Sequence, residues 1–395
     1  MTTTPPLRKR RNRADTIRAY ALIAPLMLLL IGTFLIPLGF VVARSVLDTE
    51  LDAALPATSR VLAAWDGRDL PPPVVFDALA QDLKAVPVTA LNEVSRRLSY
   101  ENAGFRALLA GARRALGTPT AFTDPRWKET ATWQAMKRAT GPANAFYLLT
   151  ALDLRRDFDA GPPGVAQTPS GGVYRDILIR TLSIATVTTL ICVVLAFPLC
   201  AFLARRSERT RNLLLFLVLL PFWTATLVRT TAWMVLLQDR GVVNQMLLAL
   251  GAISEPLHLM YNRLGVIVAM VHVMLPFMIF PLLASMRAVD ARLMRAAASL
   301  GAGPWHSFRR VYLPQVLPGL MAGSLMVFIV TLGFYITPTL LGGPGDQMIS
   351  FYIAQFTTGT LNWGLAAALS VILLIVTGGL YALQTSLNRR YGGAR

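Results

Sequence analysis

The sequence predicts an all-α, polytopic membrane protein with six transmembrane helices and a helical domain inserted between the first and the second. Three observations lead there. Hydrophobic residues make up 54% of the 395 and charged residues only 15%, with a mean hydropathy of +0.51, outside the range of ordinary soluble domains. Six apolar runs, 20–43, 177–203, 213–237, 264–286, 316–341 and 363–384, each reach the roughly 20 residues that cross a bilayer. The positive charge lies at one set of run ends, which orients the runs.

Residues 1–19 carry Arg8, Lys9, Arg10, Arg11, Arg13 and Arg18, so the positive-inside rule expects a cytoplasmic N-terminus. The run 20–43 exceeds the roughly 7–15 apolar residues of a cleavable signal and is expected to remain as the first span. An even number of spans returns the tail, 389–395, to the cytoplasm. The connections expected on that side carry Arg205, Arg206, Arg209 and Arg211, then Arg287, Arg292, Arg295, Arg309 and Arg310, then Arg389, Arg390 and Arg395. With the N-terminal segment they hold eighteen basic residues against three acidic ones, Asp15, Glu208 and Asp290, which is fifteen of the formal +17.

Segment 44–172 falls on the opposite side and is far too long for a hairpin loop. Its fifteen basic and fourteen acidic residues do not bear on topology, because long translocated segments escape the charge rule. Apolar residues recur at helical spacing in "VVFDALAQDLKAV", "ALNEVSRRLSYENAGFRALLAGARRAL" and "PRWKETATWQAMKRATGPANAFYLLTALDL", separated by Pro- and Gly-rich breaks. The segment reads as a small helical extracytoplasmic domain, tethered through "DAGPPGVAQTPSGG" to a membrane core at 173–388.

Several chemistries find no support. The arginines flank apolar runs and do not form a polar, aromatic-interleaved patch, so nucleic acid is not an expected partner. Cys192 and Cys200 share one apolar run and read as packing residues. His258, His272 and His306 are scattered, and no metal-ligand cluster or nucleophile elbow is present. No G-x-x-x-x-G-K-[ST] phosphate loop occurs, so the chain is expected neither to hydrolyse ATP itself nor to be an enzyme.

Between the fourth and fifth runs lies "LMRAAASLGAGPWHSFRRVYLPQVLPG". Ala296, Ala297 and Ala298 are strong helix formers with almost no side chain, so a partner surface can approach closely. Gly301 is suited to the left-handed residue that ends a helix, and Pro304 to the first turn of the next. Val311, Leu313 and Pro314 return the chain to the bilayer. The spacing, Arg295-Ala296-Ala297, three residues, Gly301, nine residues, Val311-Tyr312-Leu313-Pro314, resembles the "EAA" loop of binding-protein-dependent ABC importer permeases, Glu-Ala-Ala, three residues, Gly, nine residues, Ile-x-Leu-Pro. Arg295 stands where that pattern has glutamate, a reversal of charge. Leu217–Leu247 and Phe328–Pro344 are similar to the spermidine/putrescine-type permease subunits, and the similarity covers roughly 175–390.

The resemblance implies an ABC importer type I permease fold, with 287–315 as the coupling loop that docks into a groove on the ATPase. It further implies a permease subunit in the bacterial cytoplasmic (inner) membrane, partnered by an ABC ATPase dimer, a second and different permease, an extracytoplasmic solute-binding protein and membrane lipid. ATP and Mg would sit on the ATPase, with no cofactor on this chain. The cargo would be a small solute, polyamine-like or a related organic nitrogen compound. The long insertion departs from the family, whose first external loop is much shorter.

Candidates for the pathway are Trp223, Arg229, Trp233 and Tyr335. An arginine within a span is expensive and therefore a functional candidate, although pairing with carbonyls or another helix is an equal alternative. Trp223 and Trp233 read either as faces for an organic cation or as interface anchors. Tyr335 belongs to the similar stretch Phe328–Pro344. Two other functions stay open: an ion-coupled secondary transporter, which commonly places acidic or histidine relays in its spans, and a membrane-anchored scaffold. The first must manage with His272 nearly alone, and the second leaves the loop spacing unexplained.

Overall fold

A computed structural model describes residues 13–118, 120–158, 164–168 and 171–392, without the side chains of 13–19 and 387–392. The basic residues Arg8, Lys9, Arg10, Arg11 and Arg395 thus lie outside the described residues, as do the side chains of Arg13, Arg18, Arg389 and Arg390.

Among the described residues five helices are long and apolar enough to cross a membrane: Tyr20–Arg44, Val173–Ala204, Arg263–Ala288, Pro304–Leu332 and Trp363–Ser386. The first contains a π turn at Ile31–Leu35. Pro37 has no N–H for the Thr33 carbonyl, and the ladder shifts by one residue as the Ile36 N–H bonds to Ile31 O.

The sequence expects a sixth, continuous helix at 213–237, and here the structure differs. Glu208–Leu219 runs into a 3-10 turn at Leu220–Trp223, and the chain resumes as Thr226–Leu237. The two halves, Glu208–Trp223 and Thr226–Ala249, meet at 95°. Pro221 is the cause: its ring clashes with the carbonyl four residues back and removes one helix hydrogen bond. The run 316–341 is also not one helix. It starts earlier, ends at Leu332, turns through Gly333 and resumes as the short helix Ile336–Leu341. Pro338 cannot donate to the Phe334 carbonyl, which accepts instead from Ser350 Oγ at 2.8 Å.

Val173–Ala204, Arg263–Ala288 and Pro304–Leu332 pack on one another as the membrane core. Their close approach rests on small residues. A Cβ at Gly319 would lie 2.5 Å from Pro281 O, and one at Gly323 would lie 2.9 Å from Met278 Sδ, so this Gly-x-x-x-Gly pair admits the facing helix. Gly319→Leu is expected to cost about 1–3 kcal/mol or more through overpacking, read as a lower unfolding temperature in detergent. Gly378→Leu, with open space around it, should leave that temperature unchanged. Cys192 and Cys200 are buried and free, and each Sγ contacts a carbonyl of Arg263–Ala288, Val271 O at 3.7 Å and Ile279 O at 3.6 Å.

The inserted domain has its own core, centred on Trp127, Trp133, Leu79, Leu83, Leu98 and Leu109. Glu50–Ala54, Pro56–Ala64 and Pro73–Ala85 are followed by Val88–Ser99 and Phe105–Arg114, parted at Gly104, which is left-handed at φ +104°. Thr130–Arg138 and Phe146–Ala151 complete the helices. The domain is not purely helical: Leu154–Arg156 pairs antiparallel with Val165–Gln167. Asp153, left-handed at φ 59°, turns the chain out of the last helix into this hairpin. Its carboxylate then accepts from the backbone N–H of Tyr174 (3.1 Å) and Arg175 (2.6 Å) at the start of Val173–Ala204.

Asp124 caps the 3-10 turn Pro125–Lys128 and takes two hydrogen bonds from the Arg126 guanidinium. Those bonds hold its carboxyl down at about 2. A depressed folded-state value gives a contribution that is complete above pH ~4 and is lost as pH falls through about 2. Amide exchange at 126–128 should therefore gain an acid-induced component below pH ~4, absent in Asp124→Asn.

Candidate functional site

Two regions stand out. In the first, Asp290 Oδ1 accepts from Arg292 N at 2.8 Å and caps the helix Ala291–Ser299. This helix closes in a Schellman turn: Gly301 N donates to Ala298 O and Ala302 N to Ala297 O, both at 3.0 Å. Gly301 is left-handed at φ +82°, and a Cβ there would meet open space, so conformation and not crowding calls for glycine. Gly303 then caps a second helix with Pro304 at its first position.

Arg295, Ala296, Ala298, Gly301 and Pro314 are exposed, and Ala297, Val311 and Leu313 half-buried. At the tip Leu300 is 88% and Trp305 71% exposed. Trp305, Phe308 and Tyr312 stack in a row at 5.7 and 5.8 Å, and Phe308 meets Phe197 edge-on at 6.1 Å. Within the span Pro304–Leu332, a π turn at Phe308–Tyr312 leads into the regular helix Leu313–Leu332. The result is a short helical knob, stiffened by an aromatic row continuous with a span, its apolar tip at Leu300 and Trp305 left exposed by the described residues.

The second region surrounds the bent third span. Arg229 and Trp233, one turn apart on Thr226–Leu237, share a face. The Arg229 guanidinium lies 5.1 Å from the Phe222 ring centre and donates to Thr226 Oγ1 at 3.3 Å, while its Nε is buried with no acceptor among the described residues. Trp233 Nε1 donates to His272 Nδ1 at 3.1 Å. An indole N–H is donor only, so His272 accepts at Nδ1 and is held as a neutral ring. Thr230 and Thr337 share a buried 3.1 Å hydroxyl contact that ties Thr226–Leu237 to Ile336–Leu341, beside Tyr335, 43% exposed. Trp223 does not join Trp233 in a cage. It stands 81% exposed at the bend, with its ring edge-on to Phe216 at 6.0 Å.

The family described as "Binding-protein-dependent transport system inner membrane component" matches residues 196–393. The chain belongs to this family. It is therefore an ABC importer permease subunit of the inner membrane, which disfavours the secondary-carrier alternative. The spermidine/putrescine transport system permease protein PotB of Salmonella typhimurium (strain LT2) is 37% identical over 206 residues, 52% of this chain and 72% of that protein. The inner membrane ABC transporter permease protein YdcU of Escherichia coli (strain K12) is 35% identical over 234 residues, 55% and 72% of the two chains. A crystal structure of a bacterial ABC transporter importing the acidic polysaccharide alginate overlaps at a TM-score of 0.45 and 20% identity, covering 55% of this chain and 79% of that one.

Within this permease, sequence reasoning missed Phe222, Thr230, Thr337 and the role of His272 as partner to Trp233. Thr230, Thr337 and His272 are each made significant by a residue far away in sequence. The one local signal was Pro221, a helix breaker inside an otherwise uniform apolar run.

Proposed function

We propose that the chain lies with both termini and loop 287–315 in the cytoplasm and its inserted domain outside. It lines half of a pathway for a small organic nitrogen compound of the polyamine type. The knob Ala291–Tyr312 docks on an ATPase subunit, whose dimer binds ATP and Mg, and a second, different permease completes the pathway. An extracytoplasmic binding protein delivers the cargo.

The observation that supports this reading best is the knob: a capped helix, a Schellman turn at Gly301 and an exposed apolar tip, backed by the Trp305–Phe308–Tyr312 row. A tip of this shape transmits push and pull from a partner to the span. The sequence similarity to spermidine/putrescine permeases favours a polyamine cargo. Apart from Asp176 in the first turn of Val173–Ala204, the five span helices carry no acidic residue among those described. Cargo ammonium groups would then meet the exposed faces of Trp223 and Tyr335 through cation–π contact. Gentle extraction from native membranes with mass spectrometry should recover an ATPase and a second permease, and reconstituted uptake of labelled putrescine should be ATP-dependent and inhibited by spermidine. Recovery of this chain alone in several detergents contradicts the assembly; uptake unaffected by polyamines contradicts the cargo.

A further inference from the structure

In the inserted domain a cavity of about 390 Å³ opens between the end of Thr130–Arg138, the helix Phe146–Ala151 and the two-stranded hairpin. Its size falls in the range of small-molecule sites. Lys137, Arg138, Arg155 and Arg156 line it, and among the described residues no acidic one does. Segment 44–172 as a whole is nearly balanced, fifteen basic to fourteen acidic, so this concentration of positive charge is local.

Two of the four cations are committed to the fold. Lys137 Nζ donates to the carbonyls of Leu62 (3.2 Å) and Trp65, and Arg138 Nε donates to Glu101 at 2.5 Å. Arg155 is different. Its side chain makes no hydrogen bond or ion pair with any described residue, and its Nε is buried without an acceptor. A guanidinium partly withdrawn from water with nothing to accept its protons is destabilising, and an anion's oxygens relieve that cost. Arg156, next in the strand, is exposed, with its guanidinium 5.4 Å from the Phe158 ring centre. Apolar lining comes from Phe146 and Leu149 on the helix Phe146–Ala151, and from Val165, the cross-strand partner of Arg156. A flat guanidinium fork matches a carboxylate, and an apolar wall matches a short carbon chain better than a bare inorganic ion.

We propose that this cavity binds a small organic carboxylate, its oxygens held by Arg155 and its aliphatic body laid on Phe146 and Leu149. The hairpin that supplies Arg155 follows Asp153, which holds the first N–H groups of Val173–Ala204, so occupancy stiffens the entry to that span. The site stands independently of the transport cargo.

Hydrogen–deuterium exchange on the full chain in lipid nanodiscs, titrated with glutarate as probe, tests this. Glutarate is expected to slow exchange at Leu154–Arg156 and Val165–Gln167. Arg155→Gln should weaken the apparent affinity by about tenfold or more, Arg155→Lys should restore part of it, and Arg106→Gln, an exposed cation away from the cavity, should change nothing. Unchanged exchange around Trp127 and Trp133 shows that the variants fold. Absence of protection, or protection indifferent to Arg155→Gln, overturns the site; equal protection by inorganic phosphate overturns its assignment to an organic carboxylate.

Discussion

Gly301→Val is expected to reduce ATP-driven uptake by at least about tenfold while the protein still reaches the membrane. Gly301 sits at φ +82°, where an ordinary side chain costs about 1–2 kcal/mol and a β-branched one more. That strain alone depopulates the turn by about 5- to 30-fold. The two hydrogen bonds that close Ala291–Ser299, to Ala297 O and Ala298 O, go with it, and the helix loses its fixed angle to Pro304–Ser307. A Cβ would meet nothing within 4 Å, so the defect does not spread by collision into the spans. Gly301→Asn, better tolerated in the left-handed region, should recover much of the uptake. Transport and coupled ATPase activity, measured together in proteoliposomes, check this: both should fall in Gly301→Val and both should return in Gly301→Asn.

Arg97→Met is expected to destabilise the inserted domain by roughly 3–5 kcal/mol, because it strands the Asp48 charge in the interior. Arg97 and Asp48 are 1% and 0% exposed and meet through three hydrogen bonds, the shortest 2.6 Å. Burial by itself lowers the Arg97 guanidinium, and the Asp48 charge and hydrogen bonds together with the Glu101 and Tyr147 charges outweigh it and hold it above its ordinary value. Its plane also lies 3.7 Å from the Phe146 ring centre, and the adjacent Tyr147 ring abuts Gly364, where a Cβ would lie 2.3 Å away. The pair therefore supports the seat of the domain on the last span. Limited proteolysis of the full chain should show 45–158 cut faster in Arg97→Met. The double variant Asp48→Leu, Arg97→Met should be far less sensitive, since removing both charges leaves none unpaired.

The six apolar runs were legible because bilayer thickness sets a minimum length that composition alone reveals. Their internal breaks were not. Pro221 and Pro338 are visible in the sequence, but a proline in a span either kinks it slightly or ends it, and packing against neighbours decides which. The hairpin at Leu154–Arg156 was hidden for another reason: three-residue strands carry no periodicity, and the turn depends on Asp153 adopting a left-handed backbone. The loop was the most legible feature, since Gly301 and Pro304 act on their immediate neighbours. The Trp233–His272 contact spans 39 residues and the Thr230–Thr337 contact 107, separations that no local pattern reports.

Whether the knob docks on an ATPase is tested most directly by Ala298→Cys in native membranes. Ala298 is exposed on the helix Ala291–Ser299, and Cys192 and Cys200 are buried, so a short thiol-directed photo-cross-linker attaches to this chain at the introduced site alone and needs no thiol on the partner. The expected result is a cross-link to an ATP-binding subunit whose yield changes when ATP is added. Free labelling of the introduced thiol, with no cross-linked ATPase in the presence or absence of ATP, would contradict the account.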